Sequence, residues 1–160
     1  MSVAFTKEES AETASETQLP DRPISPHPNL VTSTGLQALR SNLEIARKAY
    51  EQAKLTTDVN EKRRHSANPL RDIRYLTKRI RTAQVVACPA SNDVVAFGHT
   101  VTFARADGRI QTYRIVGEDE ADPKNGSISF VSPVARSLIG KGPGEVVGSA
   151  QQRIEILAVS

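Results

Sequence analysis

The chain has 160 residues and a net charge of +3, so it can form one compact domain or two small ones. Four Phe, three Tyr and no Trp are too few for a single-stranded nucleic-acid platform built from stacked aromatic faces. The single cysteine excludes an intrachain disulfide framework, and no run of about 18 apolar residues predicts a membrane span. The N-terminus lacks an apolar stretch of the kind found in signal peptides, so we expect a cytoplasmic protein with no membrane partner.

The excess positive charge lies in the middle of the chain. Residues 1–32 hold two basic and five acidic residues, a net of −3. Residues 33–84 hold twelve basic and five acidic residues, a net of +7, and residues 85–160 hold seven and eight, a net of −1. The middle segment therefore suits a nucleic-acid backbone or an acidic protein surface.

The first 32 residues mix Ser, Thr, Glu and Pro and show no helical or strand period. Four prolines between Pro20 and Pro28 favour extended, solvated backbone. This composition predicts a disordered N-terminal tail over residues 1–32.

Residues 33–84 carry two apolar seams with the three-and-four spacing of a coiled coil. The first predicts a helix from about 34 to 56, and the second predicts a helix ending beyond residue 80. The seam residues are Leu36, Leu39, Leu43, Ala46, Tyr50 and Ala53, then Leu70, Ile73, Leu76, Ile80 and Ala83. Two such helices with a short connection predict an antiparallel coiled-coil hairpin.

The start of the second helix has two interpretations. Asn68-Pro69 is a suitable cap and first turn, because proline fits the first helical position. Alternatively, the helix begins near Asp58, where Asp58 and Glu61 have the spacing of a capping box, and Pro69 kinks it.

From residue 94 the period changes to two, which indicates strands. Asp107-Gly108 is a two-residue turn signal and predicts a β-hairpin. A polar loop and a third strand follow, then a short helix from Ser132-Pro133 to Gly140 and two more strands. Residues 85–160 therefore predict a small α+β domain with a mainly antiparallel sheet. The chain has no Gly-rich phosphate loop and no Cys/His cluster with metal-ligand spacing, so we expect no cofactor of its own.

Several short strings in the second half resemble the GreA/GreB family of transcript-cleavage factors. They are "RIVGEDEAD" from Arg114 to Asp122, "SPVARSLIGK" from Ser132 to Lys141, and Phe97-Gly98 with Val101. They have the order and gaps of the family pattern. "RYLTKRI", from Arg74 to Ile80, is similar to the distal helix of GreB.

The resemblance implies an FK506-binding-protein-like C-terminal domain beside an N-terminal antiparallel coiled coil. In the family, the globular domain binds RNA polymerase at the rim of its secondary channel and the coiled coil enters the channel. Two acidic residues at the tip help to hold a magnesium ion, and the polymerase cleaves its own backtracked RNA. The protein itself is then an accessory factor and not an enzyme, with RNA or DNA of the elongation complex within reach.

The resemblance also implies which residues carry these roles. The polymerase contacts carry over to Ser132, Pro133, Ala135, Arg136, Leu138 and Lys141. The candidate tip acids are Asp58 and Glu61, which assist a polymerase-bound magnesium ion only if they reach it. The basic residues of the hairpin are Lys62, Arg63, Arg64, Arg71 and Arg74.

The tip departs from the family pattern. The family has "GD-x-x-EN-x-x-Y", whereas this chain has "TDVNEKRRH", which keeps only the D-x-x-E spacing of Asp58 and Glu61. Counting back from Ala83, the family acids lie about six residues farther away, so this tip is withdrawn by about 9 Å at a 1.5 Å rise. The basic run from Lys62 is also expected to compete for the acids.

Three functions therefore stay open: a cleavage stimulator, a regulator that occupies the channel without cleavage, and a non-enzymatic interaction module. The first needs Asp58 and Glu61 as metal-assisting carboxylates, and the second leaves them as helix caps. The third dimerises through an exposed coiled-coil seam. The pattern slightly favours the channel-occupying regulator.

Overall fold

The computed structural model describes residues 19–160, so the first 18 residues of the predicted tail lie outside the described residues. The described chain divides into two compact units. One comprises residues 19–24 and 39–81, and the other comprises residues 25–38 and 82–160. Within residues 19–160, none of the helices combines the length and the apolar character needed to cross a membrane.

The first unit contains most of two long helices, α1 (Ser33–Lys54) and α2 (Val59–Thr82); residues 33–38 and Thr82 belong to the second unit. Only residues 55–58 separate them, so they form the predicted antiparallel hairpin. The predicted seam is buried at Leu39, Leu43, Ala46, Ala53 and Leu76. Burial of these small and branched side chains provides the hydrophobic stabilisation of the hairpin.

The second helix begins near Asp58, and the alternative start at Asn68-Pro69 is wrong. The Asp58 carboxylate accepts a hydrogen bond from the Glu61 backbone N–H at 2.8 Å, which caps the helix. Pro69 lies inside α2, where it cannot donate the usual bond to the His65 carbonyl. The cap and the buried seam together outweigh this local cost.

The predicted disorder is wrong for residues 19–24, which contact α2 within the first unit. The Arg22 guanidinium lies 3.8 Å above the centre of the Tyr75 ring and 3.2 Å from an Asp72 oxygen. Arg74 Nε lies 2.5 Å from Asp21 Oδ1. Because every partner is about 50 residues away in sequence, local composition does not predict this order.

The predicted disorder is also wrong for residues 29–32, which belong to the second unit. Strand β1 (Leu30–Val31) pairs in parallel with β2 (Gln84–Val85). Asn29, Val31 and Thr32 are buried, and the Thr32 hydroxyl lies 2.6 Å from Glu120 Oε2. This short parallel pair ties the start of α1 to the α+β unit.

A five-stranded sheet forms most of the second unit. Its strands are β3 (Thr100–Arg105), β4 (Ile110–Val116), β5 (Ser127–Ser129), β6 (Val146–Val147) and β7 (Ile154–Val159). The order is β5-β4-β3-β7-β6. Neighbours are antiparallel except β4 and β5, which are parallel, so the sheet is mixed and not wholly antiparallel. The loop between β4 and β5, which contains a 3₁₀ turn (Pro123–Asn125), provides the crossover that parallel pairing needs.

The predicted hairpin between β3 and β4 is present, but its loop is longer than two residues. Ala104 and Ile110 are the last paired positions, and the Arg105 N–H donates to the Arg109 carbonyl at 2.8 Å. Asp107 Oδ1 accepts from the Arg109 N–H at 3.0 Å, and Gly108 has a φ of +82°. The Asp side chain and the left-handed glycine therefore stabilise the loop at residues 106–109, between the end of β3 and the start of β4.

Helix α3 (Pro133–Leu138) covers the core face of the sheet. The core consists of fully or almost fully buried apolar residues: Val95, Val101, Phe103, Ile115, Ile128, Ala135, Leu138, Ile154 and Ile156. Alternate residues of β3 and β7 contribute to this core, as the period of two predicts. The α+β class of the second half is thereby confirmed.

Candidate functional site

The first candidate site is the hairpin tip, residues 55–61, where α1 gives way to α2. Asp58 and Glu61 are both exposed there. Asp58 Oδ1 accepts the capping hydrogen bond. The other Asp58 carboxylate oxygen and both Glu61 carboxylate oxygens therefore face solvent. The tip thus presents two acids one helical turn apart.

Two apolar side chains also project from this tip. Leu55 is 74% exposed and Val59 is 60% exposed. Each flanks the Asp58 position closely in sequence. Exposed apolar and acidic side chains therefore lie together at this end of the hairpin.

The basic run beside the acids does not neutralise them directly. Arg63 and Arg64 are exposed and Lys62 is half-buried. Within residues 19–160, no ion pair shorter than 4.0 Å joins this run to Asp58 or Glu61. The expected competition for carboxylate oxygens is therefore wrong for the described chain, although Lys62 lies four residues from Asp58 and Arg64 three from Glu61, spacings at which helical side chains can meet.

The other two predicted basic residues have a different environment. Arg74 is held by the Asp21 carboxylate and by the Leu19 carbonyl oxygen at 3.3 Å. Arg71 Nε lies 4.0 Å from Asp72 Oδ1. The predicted basic set therefore separates into a solvent-facing tip group and a pair that contacts acidic or carbonyl groups.

At the end of α1, Lys54 Nζ lies 2.9 Å from Glu51 Oε1. This hydrogen bond to the Glu51 carboxylate raises the pKa of Lys54. The basic group also complements the negative end of the α1 dipole just before the tip.

The second candidate site is α3, where the structure corrects two predicted contacts. Ala135 and Leu138 are 0% exposed and belong to the core. Their side chains cannot touch a partner directly, because other parts of the unit cover them. Ala135 and Leu138 therefore occur in the matched string as core residues that pack α3 against the sheet.

The remaining predicted contacts are accessible. Pro133, Arg136 and Lys141 are exposed, and Ser132 is half-buried. The Ser132 hydroxyl accepts a hydrogen bond from the Ala135 N–H at 3.3 Å and so caps α3, while Pro133 occupies its first turn. The "SP-x-AR" string therefore fixes a short helix with one buried side and exposes Pro133 and Arg136.

Neither site brings three metal-ligating side chains together in the described part of the chain. Among the described residues 19–160, no group of three or more His, Cys, Asp or Glu side chains is placed to bind one. Carboxylate oxygens are suitable ligands for Mg²⁺, but Asp58 and Glu61 supply only two side chains. Water, phosphate oxygens or another protein would supply the rest of the shell of a magnesium ion there.

Among the buried polar side chains that sequence reasoning did not place in the interior, the two largest are Arg79 (2% exposed) and His99 (0%). His99 Nδ1 accepts a hydrogen bond from the Ala96 N–H at 3.0 Å, so the other ring nitrogen faces the Pro89 carbonyl at 3.4 Å. Arg79 lies on a helix and His99 lies beside the start of a strand, and the neighbouring sequence of neither residue indicates that a polar side chain is buried there.

A helical hairpin with an acidic tip and an α+β unit with an "SP-x-AR" helix define the two-part architecture of the elongation factors that the sequence resembles. The family model "Transcription elongation factor, GreA/GreB, C-term" matches residues 90–160. Transcription elongation factor GreA of Desulfovibrio desulfuricans is 35% identical over 150 residues, which cover 86% of this chain and 93% of that protein. The chain therefore belongs to the GreA/GreB family.

Other relatives align with this chain over a smaller share of their own length. GreB of Neisseria meningitidis serogroup A is 45% identical over 95 residues, which span 56% of this chain and 58% of that protein. The GreA factor homolog 1 (Gfh1) structure of Thermus thermophilus covers 84% of this chain and 99% of its own, at 19% identity and a TM-score of 0.39. That score is too low to support a structural comparison.

Proposed function

We propose that this chain binds RNA polymerase and regulates transcription elongation through the secondary channel. The observation that carries the proposal is the two-sided α3. Its buried side fixes it to the sheet, and its exposed side presents Pro133 and Arg136. A short rigid helix with a proline and an arginine is a suitable docking surface, since little side-chain or backbone freedom is lost on binding.

In this proposal the hairpin enters the channel and occupies it. At 1.5 Å per residue, the 22 residues of α1 and the 24 of α2 give a rod about 33–36 Å long. The exposed Leu55, Asp58, Val59 and Glu61 lie at its end. The basic residues Arg63 and Arg64 follow on α2, where they can meet the phosphates of RNA or DNA.

A second candidate function, stimulation of RNA cleavage, is favoured by the exposed Asp58 and Glu61. When a magnesium ion is bound by the polymerase, it supplies an activated water for phosphodiester hydrolysis. Asp58 can cap α2 and still offer a free carboxylate oxygen, so capping does not exclude this role. The polymerase active site would perform the cleavage, and this chain would remain an accessory factor.

The predicted shorter arm favours occupancy over cleavage. A tip withdrawn by about 9 Å would hold its carboxylates beyond direct or water-bridged coordination of the metal. The altered flanks of Asp58 and Glu61 agree with this, because Thr57 and Lys62 stand at the positions where the family motif has Gly and Asn.

The two mechanisms are separated by RNA cleavage in a backtracked polymerase complex. The test variant is Asp58→Asn with Glu61→Gln, which retains a capping oxygen but removes both charges. Channel occupancy predicts that the parent and the variant change elongation equally and that neither shortens the RNA. RNA shortening by the parent that the variant has lost would assign the tip to cleavage.

A further inference from the structure

A surface cleft at one end of the sheet is lined by three arginines. It has a volume of about 390 Å³ and is lined by Arg105, Ala106, Asp107, Arg109, Gln151, Gln152 and Arg153. An adjoining cleft shares Arg105 and Arg153 and adds Glu155. All of these residues belong to the second unit.

The strand register brings the three arginines together. Arg105 ends β3, and its N–H donates to the carbonyl of Arg109, which precedes β4. Arg105 is also paired with Ile154, the residue after Arg153. Three guanidinium groups therefore lie at the same end of three neighbouring strands, an arrangement that costs free energy through like-charge repulsion unless anions are near.

The acids in and beside the cleft do not balance these charges. Asp107 is committed to Arg109, with its Oδ2 atom 2.7 Å from Arg109 Nε. The N–H of Arg109 lowers the pKa of Asp107, with its guanidinium and that of Arg105 as further causes. Within residues 19–160, no ion pair shorter than 4.0 Å involves Arg105 or Arg153.

The remaining groups suit an anion with several oxygens. Arg105 is oriented by the hydrogen bond between its Nε atom and Gln111 Oε1, which leaves its terminal nitrogens available. The Gln151 and Gln152 side chains carry further amide donors. Guanidinium groups match the bidentate geometry of phosphate oxygens.

We propose that this arginine cleft, defined by Arg105, Arg109 and Arg153, binds the phosphate backbone of single-stranded nucleic acid. Neighbouring strands lie about 4.8 Å apart, so three strands spread the charges over about 10 Å, the rise of about three nucleotides on one strand. An open, shallow cleft suits a polymer backbone, since small ligands need an enclosing pocket. Few aromatic residues are available for base stacking, so binding is independent of sequence.

The cleft is separate from the docking surface proposed above. Arg109 precedes the first residue of β4, whereas the last residue, Val116, pairs with Ser129 shortly before α3. Seven residues of extended strand place the two ends about 20 Å apart. Nucleic acid on the cleft therefore leaves Pro133 and Arg136 accessible, and the cleft can be tested without polymerase.

The test is fluorescence anisotropy of a labelled, mixed-sequence 20-nucleotide RNA with the full chain over about 50–200 mM KCl. The variant is Arg105→Gln with Arg109→Gln and Arg153→Gln. The matched control is Arg40→Gln with Lys48→Gln and Lys124→Gln, which removes the same charge from exposed positions elsewhere.

We expect the affinity of the cleft variant for the RNA to fall more than tenfold at about 50 mM salt. The slope of the logarithm of its binding constant against the logarithm of the salt concentration should become shallower by about 2, or roughly 0.7 for each lost phosphate contact. The control should change less than threefold. Equal losses in the two variants would overturn the proposal. So would displacement of the RNA by inorganic phosphate at constant ionic strength, which would assign the cleft to a small phosphorylated ligand.

Two further variants keep the test independent of misfolding. Arg109→Gln with Arg153→Gln changes only exposed side chains and should still weaken binding. Asp107→Asn keeps the oxygen that accepts the Arg109 N–H but removes a negative charge, so it should tighten binding. Unchanged or weaker binding by Asp107→Asn would contradict the proposal, as would a cleft variant that binds RNA normally but loses polymerase.

Discussion

The most specific prediction for the α+β unit concerns Leu138, which sequence resemblance placed at the polymerase surface and the structure places in the core. Its side chain is 0% exposed and belongs to the cluster that contains Phe103 and Ile115. Leu138→Ala removes three carbon atoms, worth about 0.8 kcal/mol each in transfer free energy, or about 2.4 kcal/mol. The residual cavity adds to this, so we expect a loss of about 3–4 kcal/mol in unfolding free energy.

Urea unfolding measures this loss, with far-UV circular dichroism and tyrosine fluorescence recorded together so that coincident transitions verify two-state behaviour. The matched control is Arg136→Ala, which changes an exposed residue of the same helix and should alter stability by less than about 0.5 kcal/mol. A Leu138→Ala protein as stable as the parent would refute the assignment of Leu138 to the core. Equal losses in the two variants would refute the two-sided description of α3.

Two other predictions concern local hydrogen bonds. Asp58→Ala removes the cap of α2 and should lower the stability of the hairpin by about 1 kcal/mol, as thermal unfolding can measure. Asp58→Asn keeps a capping oxygen and should change the stability by only about a few tenths of a kcal/mol. Equal effects of the two substitutions would exclude capping. Asp107 should titrate below its usual pKa of 3.8 in NMR, because the Arg109 N–H favours its charged form. Its stabilising contribution is then present above pH 3.8 and is lost as the pH falls through the lowered folded value, and an unshifted titration would contradict the loop geometry.

The parts of the fold that depend on local pattern could be predicted from the sequence. The heptad seam through Leu39 and Leu43 repeats within one helix and predicts its buried face directly. Ser132-Pro133 predicts the start of α3 for the same reason, since the cap and the first turn are neighbours. Membership of the GreA/GreB family is likewise confirmed.

The features that the sequence did not predict depend on residues far apart in the chain. The order of residues 19–24 requires Arg22 to meet Asp72 and Tyr75 on α2. The arginine cleft requires β3 and β7 to pair, which brings Arg153 beside Arg105. Local composition contains no signal for such pairing, because side-chain alternation shows which face is buried but not which strands are neighbours.

The tip could be predicted only in part. The spacing of Asp58 and Glu61 correctly indicated one of two helix starts, and the structure decides between them through a single backbone hydrogen bond. The same spacing serves a cap and a metal-assisting pair, so its role in transcription stays a proposal.

The central claim, docking on RNA polymerase through the exposed side of α3, is tested most directly by measuring the affinity of the full chain for core RNA polymerase. The account predicts saturable binding that Arg136→Glu weakens at least tenfold, a loss of about 1.4 kcal/mol in binding free energy. Lys124→Glu, an equal charge reversal at another exposed position of the unit, should change it by less than about threefold. Absence of binding by the parent chain, or equal losses in the two variants, would contradict the account.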